Sequence, residues 1–275
     1  MSPTTAPDDA PLYEVMRTAL RADEPVALAT VTEGPHIGAK LVVRPGQPVL
    51  GTLGDTELDR VVGRDALAEL DAGLTSTRHY GRHGEARERE VSVFIESFAP
   101  APLMIIFGAV DFTAALARVG KILGYRVTVC DARAVFATRP RFPMADEVAN
   151  DWPDRYLQKV ADRLGPRDAV CVLTHDAKFD VPAIVGATAT RVGYIGAMGS
   201  RRTHETRTAR LREAGLDDDA LARVMAPIGL DIGARTPEET AVSICAEIIA
   251  HRAGVSVPNL RDGQGPIHRG GPDPG

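Results

Sequence analysis

The stretch MIIFGAVDFTAAL, Met104–Leu116, decides the fold. Met104–Phe107 is an unbroken apolar run, as a strand buried on both faces requires. Gly108 permits a tight turn, and the residues after it read as a helix. Strand, glycine turn and helix in that order open a nucleotide-binding unit. The glycine fingerprint of such units is nevertheless broken here. After Gly108, the next two expected glycine positions hold Val110 and Thr113. The Val110 side chain would obstruct the approach of a pyrophosphate. Asp111 would cap the helix well and repel phosphate. The turn is therefore a poor dinucleotide site, although Asp131, about 20 residues further on, stands where a ribose-binding acid would be.

Working outward, the second half of the chain alternates strands and helices. Leu103–Ala109, Tyr125–Ala132, Asp146–Asn150, Asp168–His175 and Arg191–Gly199 read as strands. Helices are expected up to Leu123, over Pro153–Leu164, over Ser200–Ala214 and from Thr236 to about Arg252. Apolar strands separated by helices imply a parallel sheet covered on both faces. Before the proline-marked junction APAPL, Ala99–Leu103, the pattern differs. A helix near Leu12–Ala22 precedes three short strands, then a helix over Thr56–Ala72 capped by Asp55, a polar hairpin tip (RHYGRHGEARERE) and a strand over Val91–Phe98. The fold class expected is α/β. A Rossmann-like parallel-sheet domain spans residues 103–253 and is preceded by a smaller α+β module over 12–98. Flexible tails are expected at 1–11 and 256–275.

Composition narrows the function classes. Of 275 residues, 44% are hydrophobic and 25% charged, as in a soluble globular protein. No run of apolar residues is long enough to predict a membrane span. The start, MSPTTAPDDAPL, lacks the basic and apolar regions of a signal peptide. Cys130, Cys171 and Cys245 are scattered without metal-ligand spacing, which fits free thiols in a reducing cytoplasm. The net charge of −5 shows no basic excess, so nucleic acid is not expected as a partner. Locally clustered arginines still permit a small anionic ligand.

Four places could carry chemistry. In YIGAMGSRRTHETR, Gly196 and Gly199 free the backbone, Ser200 can cap a helix, and Arg201 and Arg202 add charge. This is a better anion cradle than the Gly108 turn, set against a plain helix start with solvated arginines. His175 and Asp176 follow a buried strand on the same sheet edge, either as ligand contacts or as a capping pair. In APIGLDIGARTPEET, Thr236, Pro237 and Glu239 form a helix start, but the glycines around Asp231 do not follow from that and mark a functional loop. Cys130 is either a buried thiol or, if exposed near arginines, a sulfur carrier or metal contact.

The chain resembles the XdhC/CoxI maturation factors of molybdenum hydroxylases. The strings that carry the resemblance are IIFGA, ALARVGKILGYRVTVCDAR, ATRPRFPMADEV, VLTHDAKFDVPAI, GYIGAMGSRR and PIGLDIGARTPEETAVSICAEII, with PVALATV, GAKLVV and VFIESF in the first module. They cover most of Leu103–Arg252. The resemblance implies an accessory factor and not an enzyme, although such proteins are often labelled xanthine dehydrogenase. It would bind the molybdenum cofactor (molybdopterin) transiently and assist a cysteine desulfurase in its sulfuration. It would then deliver the cofactor to the large subunit of a xanthine-dehydrogenase-like hydroxylase, acting as a cytoplasmic protein and plausibly a homodimer.

On this reading Gly196, Gly199, Ser200, Arg201 and Arg202 hold the phosphate. His175, Asp176 and Asp231 line the pocket, Asp131 bonds a pterin or ribose group, and Gly108 shapes the nearest turn. Two departures stand out. Relatives often read GAGH where this chain reads GAVD at Gly108–Asp111, and they often carry a cysteine where GTLGDTELD, Gly51–Asp59, has none. Cys130 is the one thiol left to nominate for a metal. The alternatives are an NAD(P)-binding oxidoreductase and an interaction protein whose ligand pocket has decayed.

Overall fold

The computed structural model describes residues 10–86 and 88–257; the outer parts of the two expected tails lie outside the described residues. The chain divides into two compact units at Pro100 and Ala101. Among the described residues no helix is long and apolar enough to cross a membrane.

The first unit is an antiparallel sheet with a helix on each face. Helix α1 (Ala10–Arg21) leads into β1 (Val26–Glu33), β2 (Lys40–Val43) and β3 (Leu50–Thr52). Helix α2 (Thr56–Ala72), β4 (Ser76–Tyr80) and β5 (Val91–Phe98) follow. The strand order is β3-β2-β1-β5-β4. Strand alternation sorts the side chains. Ala27, Ala29 and Val31 pack with Leu58, Val62, Ala66 and Leu70 of α2. Val26 and Leu28 turn the other way, toward Leu12, Met16 and Ala19 of α1. Asp55 caps α2 by accepting from the amides of Glu57 and Leu58, and left-handed Gly73 closes it.

Strand β4 is a correction to the sequence reading, which places Arg78–Tyr80 in a hairpin tip. Its alternate side chains Ser76, Arg78 and Tyr80 are polar because they face carboxylates on α2. Ser76 Oγ and Arg78 Nε each donate to buried Glu69 at 2.6 Å, and the Tyr80 hydroxyl donates to Asp65 at 3.2 Å.

The second unit holds six parallel strands. These are β6 (Leu103–Phe107), β7 (Arg126–Cys130), β8 (Glu147–Ala149), β9 (Ala169–Val172), β10 (Tyr194–Ala197) and β11 (Val224–Met225). Their order is β11-β10-β9-β6-β7-β8. The chain thus builds outward from β6 to β8, returns to the other side of β6, and builds outward again. The strand order reverses between β6 and β9, the place where open parallel sheets bind ligands.

Both faces are covered, as the unbroken apolar strands require. On one face, Leu116 of α3 (Asp111–Ile122) and Ile244 and Ile248 of α8 (Pro237–Ala253) pack on Met104, Ile106, Val127 and Val129. On the other, Leu157 of α4 (Pro153–Val160), Ile184 of α5 (Ala177–Thr188) and Leu211 of α6 (Arg201–Glu213) pack on Ile105, Phe107, Val170 and Ile195. Helix α7 (Asp218–Ala222) precedes β11. The sequence reading places no helix over Ala177–Thr188 and no strand at Val224–Met225. Pro182 hides the first, yet it sits in the second helical turn, where its missing N–H removes one bond. The second is a two-residue edge strand, too short to show a pattern.

Gly108 is fixed by packing. Its φ is +110°, and a Cβ there would come within 2.7 Å of the Thr174 methyl and 3.0 Å of the Thr174 amide nitrogen. Gly108→Ala is expected to lower stability by about 2–4 kcal/mol, combining left-handed strain with a backbone clash. Urea unfolding of the full chain measures this, and a loss near zero would contradict the packing described.

Candidate functional site

Three turns meet where the strand order reverses: Gly108–Val110 after β6, Leu173–Asp176 after β9 and Met198–Ser200 after β10. Backbone bonds carry the ladder into them. Leu173 N–H donates to Phe107 O and Met198 N–H to Val172 O, both at 2.8 Å. On the far side of β6, Gly108 N–H donates to Cys130 O at 3.0 Å.

The Gly108 turn is closed from within. Val110 occupies the N-cap of α3 and has no side-chain acceptor. The Thr113 hydroxyl takes that place, donating to Gly108 O and accepting from Val110 N–H at 3.4 Å. Ala109 N–H donates to Asp131 Oδ2 at 2.8 Å. The same carboxylate accepts from the amide, Nε and Nη2 of Arg133 at 2.7–2.9 Å. Both oxygens of Asp131 are therefore engaged inside the protein. Arg133 in turn lies 4.6 Å from the Phe136 ring centroid, stacked as a cation on an aromatic face. Burial pushes the Asp131 carboxyl up, but the Arg133 side chain and the amides of Ala109 and Arg133 outweigh it and hold the pKa below its ordinary value.

A second network ties the other two turns together. The Thr174 hydroxyl donates to Asp180 Oδ1. Arg207 Nε and Nη2 donate to Asp180 Oδ2 at 3.2 and 2.8 Å, and Nη2 also donates to Met198 O at 2.7 Å. Both charged side chains are almost fully buried. Burial raises the Asp180 pKa against the pull of Thr174 and Arg207.

The residues expected from the sequence fall into distinct environments. His175 and Asp176 are exposed in the turn after β9. Asp176 caps α5 by accepting from Lys178 N–H at 3.1 Å and pairs with Lys178 Nζ at 3.1 Å. Ser200 caps α6, accepting from Thr203 N–H at 3.1 Å, and Gly199 holds φ +142° before it. Arg202 is exposed, and the side chain of Arg201 lies outside the described residues. Gly196 is buried, and a Cβ there would meet Ile228 Cδ1 at 2.4 Å, so its bareness serves packing against the glycine-rich loop. Asp231 is exposed in that loop. Gly229, beside it, is required by Ser243 of α8, whose Oγ would lie 2.5 Å from a Cβ.

Cys130 is 1% exposed, and its thiol donates to Asp151 O at 3.5 Å. Burial, then the nearby Asp151 carboxylate, push its pKa up to about 12, so the free thiol is protonated at neutral pH. No group of three or more metal-ligating side chains is assembled among the described residues.

Sequence reasoning missed Arg133, Thr174, Asp180 and Arg207. Helix α6 carries five arginines, which hides the buried one. The available signal is that Arg207 lies four residues before buried Leu211, on the same helical stripe.

Two family models match the chain. A family model described as the XdhC Rossmann domain matches residues 104–248, and one described as the XdhC and CoxI family matches residues 19–81. The chain is 34% identical over 170 residues to a probable xanthine dehydrogenase subunit of Bacillus subtilis, covering 62% of this chain and 49% of that one. It is 34% identical over 99 residues to the molybdenum cofactor insertion chaperone PaoD of Escherichia coli, covering 36% and 31%. Each match spans less than half of the curated relative. A crystal structure titled as a xanthine dehydrogenase from Bacillus halodurans aligns with a TM-score of 0.50 at 21% identity, covering 88% of this chain and 95% of that one; this likeness concerns the fold.

The Asp131 carboxyl makes a pH prediction. A folded pKa below the unfolded value contributes stability that is complete above the unfolded value and is lost as pH falls through the folded one. Relative to Asp131→Asn, the wild-type chain should be more stable at neutral pH, and the gap should close below about pH 4, near the ordinary value of 3.8. Urea midpoints of both proteins between pH 3 and 7 check this. A gap independent of pH would contradict it.

Proposed function

The chain belongs to the XdhC family, and from that premise we propose that it binds the molybdenum cofactor and serves the maturation of a molybdenum hydroxylase without turnover of its own. It would act with a cysteine desulfurase during sulfuration and pass the cofactor to the hydroxylase's large subunit. The observation that carries this reading is the set of turns gathered at the strand-order reversal. There the Gly108, Thr174 and Gly199 turns are tied side by side at the carboxyl ends of the strands, while the acid that would read a ribose is consumed by Arg133 and Ala109 N–H.

The residues fit a phosphate-bearing ligand at the β10–α6 turn. Gly199 supplies the left-handed φ of +142° that the turn takes before the α6 N-terminus. The amides of Arg201 and Arg202 precede any intrahelical bond, with the helix dipole behind them, while that of Thr203 is taken by the Ser200 cap. Ser200, Arg201 and Arg202 would complete the phosphate contact. His175 and Asp176 would line the wall beside it, and Asp231 would approach from the glycine-rich loop. The bound cofactor would supply the dithiolene-held metal that the hydroxylase uses. This chain's part would be to hold the phosphate, orient the pterin and shield it from water. Asp131 would act indirectly, by fixing the Ala109 amide and the Arg133 side chain.

The xanthine dehydrogenase label on one relative and the chaperone label on another are reconciled if the labelled dehydrogenase subunit is itself an accessory chain. A nicotinamide dinucleotide reading is disfavoured by Val110 at the second glycine position and by the engaged Asp131.

Titration of the full chain with molybdenum cofactor beside NAD(P)H should show saturable binding of the first alone. Replacing Arg201 and Arg202 together by Ala should weaken cofactor binding, by roughly 1.5–3 kcal/mol for each charged hydrogen bond removed. Unchanged affinity removes the β10–α6 turn from the site, and selective NAD(P)H binding replaces the reading with a redox enzyme.

A further inference from the structure

Arg207 has a donor that its buried network leaves over. Its side chain is 4% exposed, and Nε and Nη2 are taken by Asp180 and Met198 O. Nη1 is buried and has no partner. His204, three residues earlier on α6, has its Nδ1 in the same condition. Buried polar atoms are nearly always hydrogen-bonded, so an orphan calls for an explanation. Here two lie on neighbouring positions of one helix face. Within the second unit they are the only such side-chain atoms among the described residues.

Their surroundings point to an anion. Long side chains on a helix lean toward its N-terminus, which brings Arg207 back to the positive end of its own dipole. Its Nη2 lies 3.5 Å from where a Cβ on Gly199 would stand. His204 is anchored to the same turn, its amide donating to Ser200 O at 2.9 Å. Asp180 sits behind the guanidinium and fixes it, leaving Nη1 as the unused prong of the fork. Burial, then the Arg207 charge, lower the His204 pKa, so its ring is neutral at pH 7 and can donate one N–H.

We propose that Arg207 Nη1 and His204 Nδ1 form the inner half of a phosphomonoester subsite whose outer half is the first-turn backbone of α6. This rests on the reading that the β10–α6 turn holds the phosphate, and it moves the anchor from Arg201 and Arg202 to half-buried His204 and buried Arg207. The guanidinium gives a donor fixed in direction, and Thr174 and Asp180 are positioning residues that hold it there.

The test uses inorganic phosphate as the probe, titrated into the full chain and followed by calorimetry and by the His204 ring signals in NMR. Arg207→Lys keeps the charge opposite Asp180 but removes the fork. His204→Gln disturbs no ion pair and carries the test by itself if Arg207→Lys fails to fold. Arg210→Gln, on the exposed surface of α6, controls for diffuse charge. Phosphate should bind the wild type, shift the His204 ring signals, and bind Arg207→Lys and His204→Gln about tenfold more weakly or worse, as expected for a lost charge-assisted hydrogen bond. Arg210→Gln should bind within about threefold of the wild type, the scale of an exposed charge. No phosphate binding by the wild type, equal binding by both inner variants, or an equal loss in Arg210→Gln overturns the proposal. Titration of the same proteins with molybdenum cofactor separates the two ideas. Cofactor binding undiminished in both inner variants removes the subsite and leaves the functional reading. Arg207-dependent phosphate binding in a chain that takes no cofactor upholds the subsite and removes that reading.

Discussion

The buried Arg207–Asp180 pair is the constraint on which the ligand edge of the second unit depends. It joins the start of α5 to α6 and, through Thr174 and Met198 O, fixes the turns that follow β9 and β10. Breaking one side of such a pair costs on the order of 3–5 kcal/mol, because the other charge is stranded in a low dielectric. The pair thus adds a side-chain tie to turns that the ladder bonds of Leu173 and Met198 and the caps of Asp176 and Ser200 also hold. Thr174 carries the constraint across to β6, since its methyl and amide are what force Gly108 to remain glycine.

On the other side of β6 a second charge pair does the matching work with a different consequence. Asp131 occupies the position from which Rossmann-like sheets read a ribose. Here it accepts four hydrogen bonds from the protein itself. The fold keeps the framework of a dinucleotide site while committing its acid to internal structure. The broken glycine fingerprint and the engaged acid are therefore two aspects of one departure, in which the ligand edge is rebuilt toward the β9 and β10 turns.

Much of the fold is legible in the sequence because burial on both faces leaves an unmistakable trace. LMIIF and AVCV are apolar without interruption, RVTVC departs only at exposed Arg126 and buried Thr128, and a strand pattern of that kind has one common architecture. What escapes the reading escapes for physical reasons. Strand β4 is polar because it answers the carboxylates of α2, and α5 contains a proline in a turn that tolerates it. At the site, Gly108, Ser200 and Asp176 are visible because turn and cap chemistry is local. Arg207 and Arg133 are not, because what distinguishes them from other arginines is a partner 27 residues away in one case and a role inside a loop in the other. Gly196 and Gly229 look like ligand-binding glycines but are demanded by Ile228 and Ser243, contacts that no local pattern encodes.

On the proposed reading the molybdenum cofactor binds at the strand-order reversal of the second unit, and hydrogen exchange of the full chain with and without the cofactor decides it. Protection is expected only at the amides of 108–111, 174–176 and 199–203, with the antiparallel unit unchanged. Protection centred instead on the antiparallel unit, or none at the three turns at saturating cofactor, would contradict it.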